Sequence, residues 1–76
     1  MGKDQKQLDK TQQQFNKAEL LYKNKNFKKA GKIFDNVGNS FLKLSEFKFA
    51  EESFFLAAES FANEGKYLFA LTSGNR

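Results

Sequence analysis

The sequence predicts an all-α fold, an antiparallel helical-hairpin solenoid with three full helices and a partial fourth. Three observations carry that expectation. Phe27, Phe47 and Tyr67 stand 20 residues apart, and each is followed three positions later by an alanine, Ala30, Ala50 or Ala70. The echo recurs at Phe34 and Phe54, at Val37 and Ala57, and at Phe41 and Phe61. Shifted by 19, the N-terminal stretch joins it through Leu8, Thr11, Phe15, Ala18 and Tyr22. A fixed period with aromatic and small residues in register is the mark of a stacked repeat. Proline is absent, so only the turns interrupt helix.

The first helix is expected over about 4–23, with Leu8, Phe15 and Tyr22 seven apart, Ala18 between them and Leu21 widening the stripe. Asn24-Lys25-Asn26 supplies turn chemistry, because asparagine tolerates the left-handed conformation and can cap a helix. The second helix follows over about 27–43. Its apolar positions 27, 30, 34, 37, 41 and 44 alternate steps of three and four without a break. Gly31 and Gly38 lie seven apart inside it, and each costs about 1 kcal/mol relative to alanine. Close approach of a neighbouring helix is the expected compensation, aided by the small residues Ala30, Ala50 and Ala70.

Leu44-Ser45-Glu46 reads as the next turn, with Ser45 as N-cap and Glu46 at the positive end of the third helix, over about 46–63. That helix carries Phe47, Ala50, Phe54, Ala57 and Phe61 on one face and Phe55, Ala58 and Ala62 beside them, so it should lie between two neighbours. Gly65 in Asn63-Glu64-Gly65 is a natural left-handed terminator. A short fourth helix over about 66–74 then begins with Tyr67, Ala70 and Leu71.

Seventy-six residues make a single domain, 1–76, near the lower limit for folding unaided. With no cysteine there is no disulfide, and with no histidine the usual ligands of zinc are missing. Ten phenylalanines supply the packing instead. Catalysis has little to work with. Glu51 and Glu52 are adjacent and so diverge by about 100° on a helix, and Glu52 and Glu59 are too far apart for a tight pair. No glycine-rich phosphate loop occurs. The expectation is no enzyme and no cofactor.

Charge is the other signal. Residues 1–38 carry nine lysines and four acids, whereas residues 39–76 carry three lysines, one arginine and five glutamates. Lys23, Lys25, Lys28, Lys29 and Lys32 cluster within ten residues. They either solvate a turn or steer an acidic partner. Nucleic acid is the weaker partner reading: Arg76 is the only arginine, and the phenylalanines fall at core spacing, where they could not stack on bases. No apolar run reaches the roughly 20 residues of a membrane span, and MGKDQK lacks a signal-peptide core. Gly2 is not followed by Ser or Thr at position 6, as myristoylation requires. The expected location is cytoplasmic, with room for peripheral membrane contact.

FKKAGKIF, FKFAEESF and the shorter YLFALTSG share the pattern aromatic-x-x-Ala with a second aromatic four residues on. It resembles tetratricopeptide-type helical hairpins, although those repeat every 34 residues and this chain lacks their Trp, Leu-Gly and Pro signposts. The Ala-Gly step in NFKKAGKIF and the Gly-Asn-Ser-Phe run at 38–41 are more similar to the N-terminal helices of soluble NSF attachment proteins. That resemblance covers almost all of this chain and an N-terminal fraction of such a protein. It implies an adaptor in vesicle fusion that lays a basic concave face along an acidic SNARE bundle and recruits the disassembly ATPase through a later region. The family's Phe-rich membrane loop has no counterpart before Gln12, its ATPase-stimulating region is absent from these residues, and no family binding residue maps onto this chain. The microtubule-interacting-and-trafficking domain, a three-helix bundle, has a similar Tyr/Phe-x-x-Ala hairpin but does not account for the echo at Tyr67 and Ala70.

A solenoid needs a polar cap at each end. Gln12, Gln13, Gln14 and Lys17 suit the first helix to that role. Leu68, Phe69 and Leu71 do not suit the last, so the expectation is an N-terminal piece of a longer solenoid, or self-association through these residues.

Overall fold

The computed structural model describes the backbone of residues 2–74 and the side chains of residues 5–71; Arg76 lies outside them. Among the described residues there are three helices and no strands: α1 (Gly2–Lys23), α2 (Phe27–Lys43) and α3 (Phe47–Gly74). The all-α expectation therefore holds, but the partial fourth helix does not exist as a separate element. Positions 63–66 are helical and Gly65 does not take a positive φ. The physical reason is length. A break at Gly65 would sacrifice intrahelical hydrogen bonds to start a helix of about nine residues, too short to repay its own nucleation.

The two turns that do form are copies of each other, 20 residues apart. Lys25 and Ser45 adopt φ of 64° and 61°. The N–H groups of Lys25 and Ser45 donate to the carbonyls of Tyr22 and Leu42, both at 3.0 Å. Those of Asn26 and Glu46 donate to Leu21 at 2.8 Å and Phe41 at 2.9 Å. These paired bonds satisfy the last carbonyls of each helix around one left-handed residue. So the left-handed position belongs to Lys25 rather than to an asparagine. Ser45 closes α2 and does not cap α3; the carbonyl of Glu46 accepts the first bond of α3 from Ala50 at 2.9 Å. Asn26 stands at the N-cap of α2 without a side-chain hydrogen bond.

Helix α2 lies in the middle, with α1 and α3 both packed against it. Its Ala30, Phe34, Val37 and Phe41 are buried, as their unbroken spacing predicts. Phe15 of α1 meets Phe34 and Phe41 edge-on, with ring centroids 5.4 and 6.5 Å away. Helix α3 presents a stripe of small residues to the core: Ala50, Ser53, Ala57 and Ser60. Both serine hydroxyls return to the carbonyl four residues back, at 2.8 and 2.7 Å, so a polar residue is buried without an unmet hydrogen bond. Thr11 does the same in α1, donating to the Gln7 carbonyl at 2.8 Å.

The glycines of α2 are seats for rings. A Cβ on Gly31 would come within 2.8 Å of Phe61, and one on Gly38 within 2.7 Å of Phe54. The compensation expected for these glycines is thus real, but it is a ring on a glycine rather than two backbones meeting at alanines. The molecule measures 57 × 17 × 12 Å, and its radius of gyration of 14.4 Å exceeds the roughly 11 Å of a compact 76-residue domain. It is an elongated unit in which α2 packs against both neighbours and α1 meets α3 through Tyr22.

Candidate interaction surfaces

Three places on this molecule could meet another. The first is the lysine cluster. Lys23 ends α1, Lys25 is the left-handed turn residue, and Lys28, Lys29 and Lys32 occupy the first two turns of α2; all five are exposed. On α2 the three lysines point away from the buried stripe Ala30, Phe34, Val37 and Phe41, since they fall on the other side of the helical wheel. The fold therefore gathers the five predicted residues around the α1–α2 turn, and places only Lys23 in the lining of a hollow.

That exception belongs to the second place, where α1 faces α3. Glu19, Tyr22, Lys23, Phe34 and Leu56 line an open hollow of about 220 Å³, below the roughly 300 Å³ at which small-molecule sites begin. At its edge the phenol of Tyr22 donates to Glu59 Oε1 at 3.2 Å and accepts from Asn63 Nδ2 at 2.6 Å. Partial burial first, and then the hydrogen bond to Glu59 and its negative charge, push the Tyr22 phenol above its ordinary value of 10.0. Tyr22 also meets Phe27 edge-on at 5.3 Å, and Phe27 meets Tyr67 at 6.3 Å. This chain of contacts ties the end of α1, the start of α2 and the middle of α3 together. Nothing in the local sequence announces it, because Tyr22 and its partners lie 37 and 41 residues apart.

The third place is the outer side of α3. The expectation that this helix lies between two neighbours fails: only one side of it is covered. Phe47, Phe55 and Phe69 are 65%, 60% and 73% exposed, and Phe61 is 47% exposed despite lying over Gly31. Phe61 is the repeat counterpart of Phe41, which is fully buried because α2 has a helix on each side. Leu68, Phe69 and Leu71 are all exposed, as expected of them, but they do not form one patch. Leu71 continues the core stripe of α3, whereas Phe69 lies on the outer side. The exposed rings also remove one argument made from sequence, that the phenylalanines are too committed to the core to meet a ligand.

Among the described residues no helix is long and apolar enough to cross a membrane, and no group of three or more side chains is placed to hold a metal ion. Comparison with protein-family models, with curated proteins and with solved structures finds no match.

Proposed function

We propose that this chain is a non-enzymatic protein–protein interaction scaffold, a helical-hairpin solenoid module most like the N-terminal part of a soluble NSF attachment protein-type adaptor. Its partner is an acidic helical bundle of the SNARE kind, met by the lysine end. The observation that supports this reading is the gathering of five exposed lysines around the α1–α2 turn, on a frame whose two turns repeat bond for bond. Such a patch raises the encounter rate with an acidic surface and makes binding sensitive to salt.

Titration of an acidic helical bundle into the full chain tests it. Binding should weaken at least tenfold between 50 and 300 mM salt, by the screening expected of exposed charges. Replacing Lys25, Lys28, Lys29 and Lys32 together by Gln should abolish it. Retardation of unrelated oligonucleotides with a steep salt slope would instead favour a basic nucleic-acid-binding module. If neither ligand binds at low salt, the lysines only solvate the turn.

A second reading is favoured by one specific observation. The described residues form three helices, and α3 runs unbroken through Tyr67 and Ala70, which suits a three-helix trafficking-adaptor domain of the microtubule-interacting type. The readings part at position 65. Gly65→Ala leaves a three-helix module able to bind, but it removes the glycine that a further tetratricopeptide-like repeat would need to turn left-handed at this position.

A further inference from the structure

Helix α3 has two apolar sides, and only one is covered. Across the helix from the buried stripe Ala50, Ser53, Ala57 and Ser60, the exposed residues Phe47, Glu51, Phe55, Ala58, Ala62, Gly65 and Phe69 follow one another along the whole element, all but Glu51 without charge. At 100° per residue they stay within a band about 80° wide. We propose that this ridge is a homodimer surface, on which the α3 helices of two copies pack antiparallel.

The size of the surface calls for a partner. The chain exposes 5770 Å² at a mass of 8.7 kDa, about 1,000 Å² more than the roughly 4,700 Å² of a compact monomer of that mass. The exposed parts of Phe47, Phe55 and Phe69, at about 200 Å² per ring, come to about 400 Å² on one side of one helix. That exceeds scattered apolar exposure and falls in the range of a functional patch. The rings of two such ridges together bury about 800 Å², the size of a weak, concentration-dependent dimer.

The order of residues selects a second copy, and selects its direction. An isologous contact must be complementary to itself. In an antiparallel pair, Phe55 of each copy lies opposite Gly65 of the other, and Ala58 lies opposite Ala62. A ring over a glycine is how α3 already packs on α2, where Phe61 and Phe54 cover Gly31 and Gly38. Charge agrees with this order. Glu51 and Glu52 stand in the first half of α3 and Lys66 in the second, so the antiparallel arrangement brings each acid pair within a turn of the other copy's lysine, twice over. A parallel pair would set ring on ring and Glu51 on Glu51, which repel.

The test is the mass of the full chain in solution by sedimentation velocity, from about 5 to 500 µM. The mass should rise from 8.7 kDa toward twice that value. Phe55→Glu and Ala58→Glu, both at exposed positions, should keep the helical circular dichroism and raise the dimer dissociation constant at least tenfold. Leu20→Glu, exposed on α1, should leave it unchanged. Under mild oxidation Ala58→Cys, near the middle of the pair, should link two copies; Lys48→Cys should not, because its copies would stand roughly 36 Å apart at 1.5 Å per residue. A strictly monomeric chain at 500 µM overturns the proposal, including the case in which residues 66–74 fold back onto the ridge. So does a dimer lost with Leu20→Glu but kept with both ridge variants. Equal linking at positions 48 and 58 overturns the antiparallel direction.

Discussion

Phe61 lies across Gly31 just as Phe54 lies across Gly38, so that a methyl group on either glycine would come within 3 Å of the ring above it. Both pairs are spaced seven residues apart on their helices, which keeps each ring on the same side of α3 and each glycine on the same side of α2. The arrangement offsets the helix-breaking tendency of two interior glycines with ring burial that no other residue at those positions would permit.

Replacing these glycines separates the two effects. Alanine gains about 1 kcal/mol of helix propensity at either site, and overpacking costs about 1–3 kcal/mol where the neighbour cannot move. Phe61 is almost half exposed and can swing toward solvent, while Phe54 is more enclosed. Gly31→Ala should therefore be near neutral and Gly38→Ala destabilising by about 1 kcal/mol, measured by urea denaturation followed by circular dichroism. Equal effects at the two sites would contradict this account.

Position 65 answers a different question with a similar variant. Gly65 is exposed inside α3, and a Cβ there would meet nothing within 4 Å. Gly65→Ala should stabilise the chain by up to about 1 kcal/mol. At Lys25 and Ser45 the direction reverses. Both hold a left-handed φ, which costs a non-glycine residue roughly 1 kcal/mol, so Lys25→Gly or Ser45→Gly should raise the melting temperature. If Gly65→Ala destabilised instead, residue 65 would be a turn.

The core and the ridge should respond very differently to truncation. Phe34 is buried between α1 and α3 and touches Phe15, so Phe34→Ala should cost about 3–5 kcal/mol. In a 76-residue domain that is enough to unfold most molecules, since total stability is commonly only about 5 kcal/mol at this size. Phe55→Ala, measured at low concentration, should shift stability by no more than about 0.5 kcal/mol.

Alkali should loosen the junction at Tyr22. Its phenol is raised above 10.0 by partial burial and by Glu59, so the folded state favours the protonated form more than the unfolded state does. The stabilisation is whole below pH 10 and is lost as pH climbs through the raised value. Above pH 10 the melting temperature of the native chain should fall more steeply than that of Tyr22→Phe. Every other group is common to both proteins and cancels in the difference. Parallel curves would show that the junction does not feel the phenol's charge.

How much was legible depended on how many neighbours each helix has. Phe34, Val37 and Phe41 were read correctly because α2 is covered on two sides, so its echo positions from Ala30 to Phe41 are buried. The same echo on α3 misleads: Phe54 and Phe61 occupy the register of Phe34 and Phe41, but they have protein on one side only. Ser53 and Ser60 escaped notice because a hydroxyl bonded to its own helix can enter a core that hydropathy says it should avoid. The turns were found at the right places with the wrong residues in the special conformation, since nothing in lysine or serine advertises a left-handed backbone. At Gly65 composition advertised one that hydrogen bonding along the helix overrides. The lysine end was legible because exposure of lysine is the default; the Tyr22 junction needs the third helix in place before it exists.

Because α2 is the helix packed extensively against both of the others, the amides are not equally guarded against exchange with solvent. Helices α1 and α3 rest mainly on α2, and either can lift away from it once the Tyr22 contacts between them are broken. Every such opening leaves α2 half covered, so its backbone hydrogens are released only when both neighbours have gone. The amides around Phe34 and Val37 then keep time for global unfolding, while those of α1 and of α3 beyond Tyr67 report only local fraying.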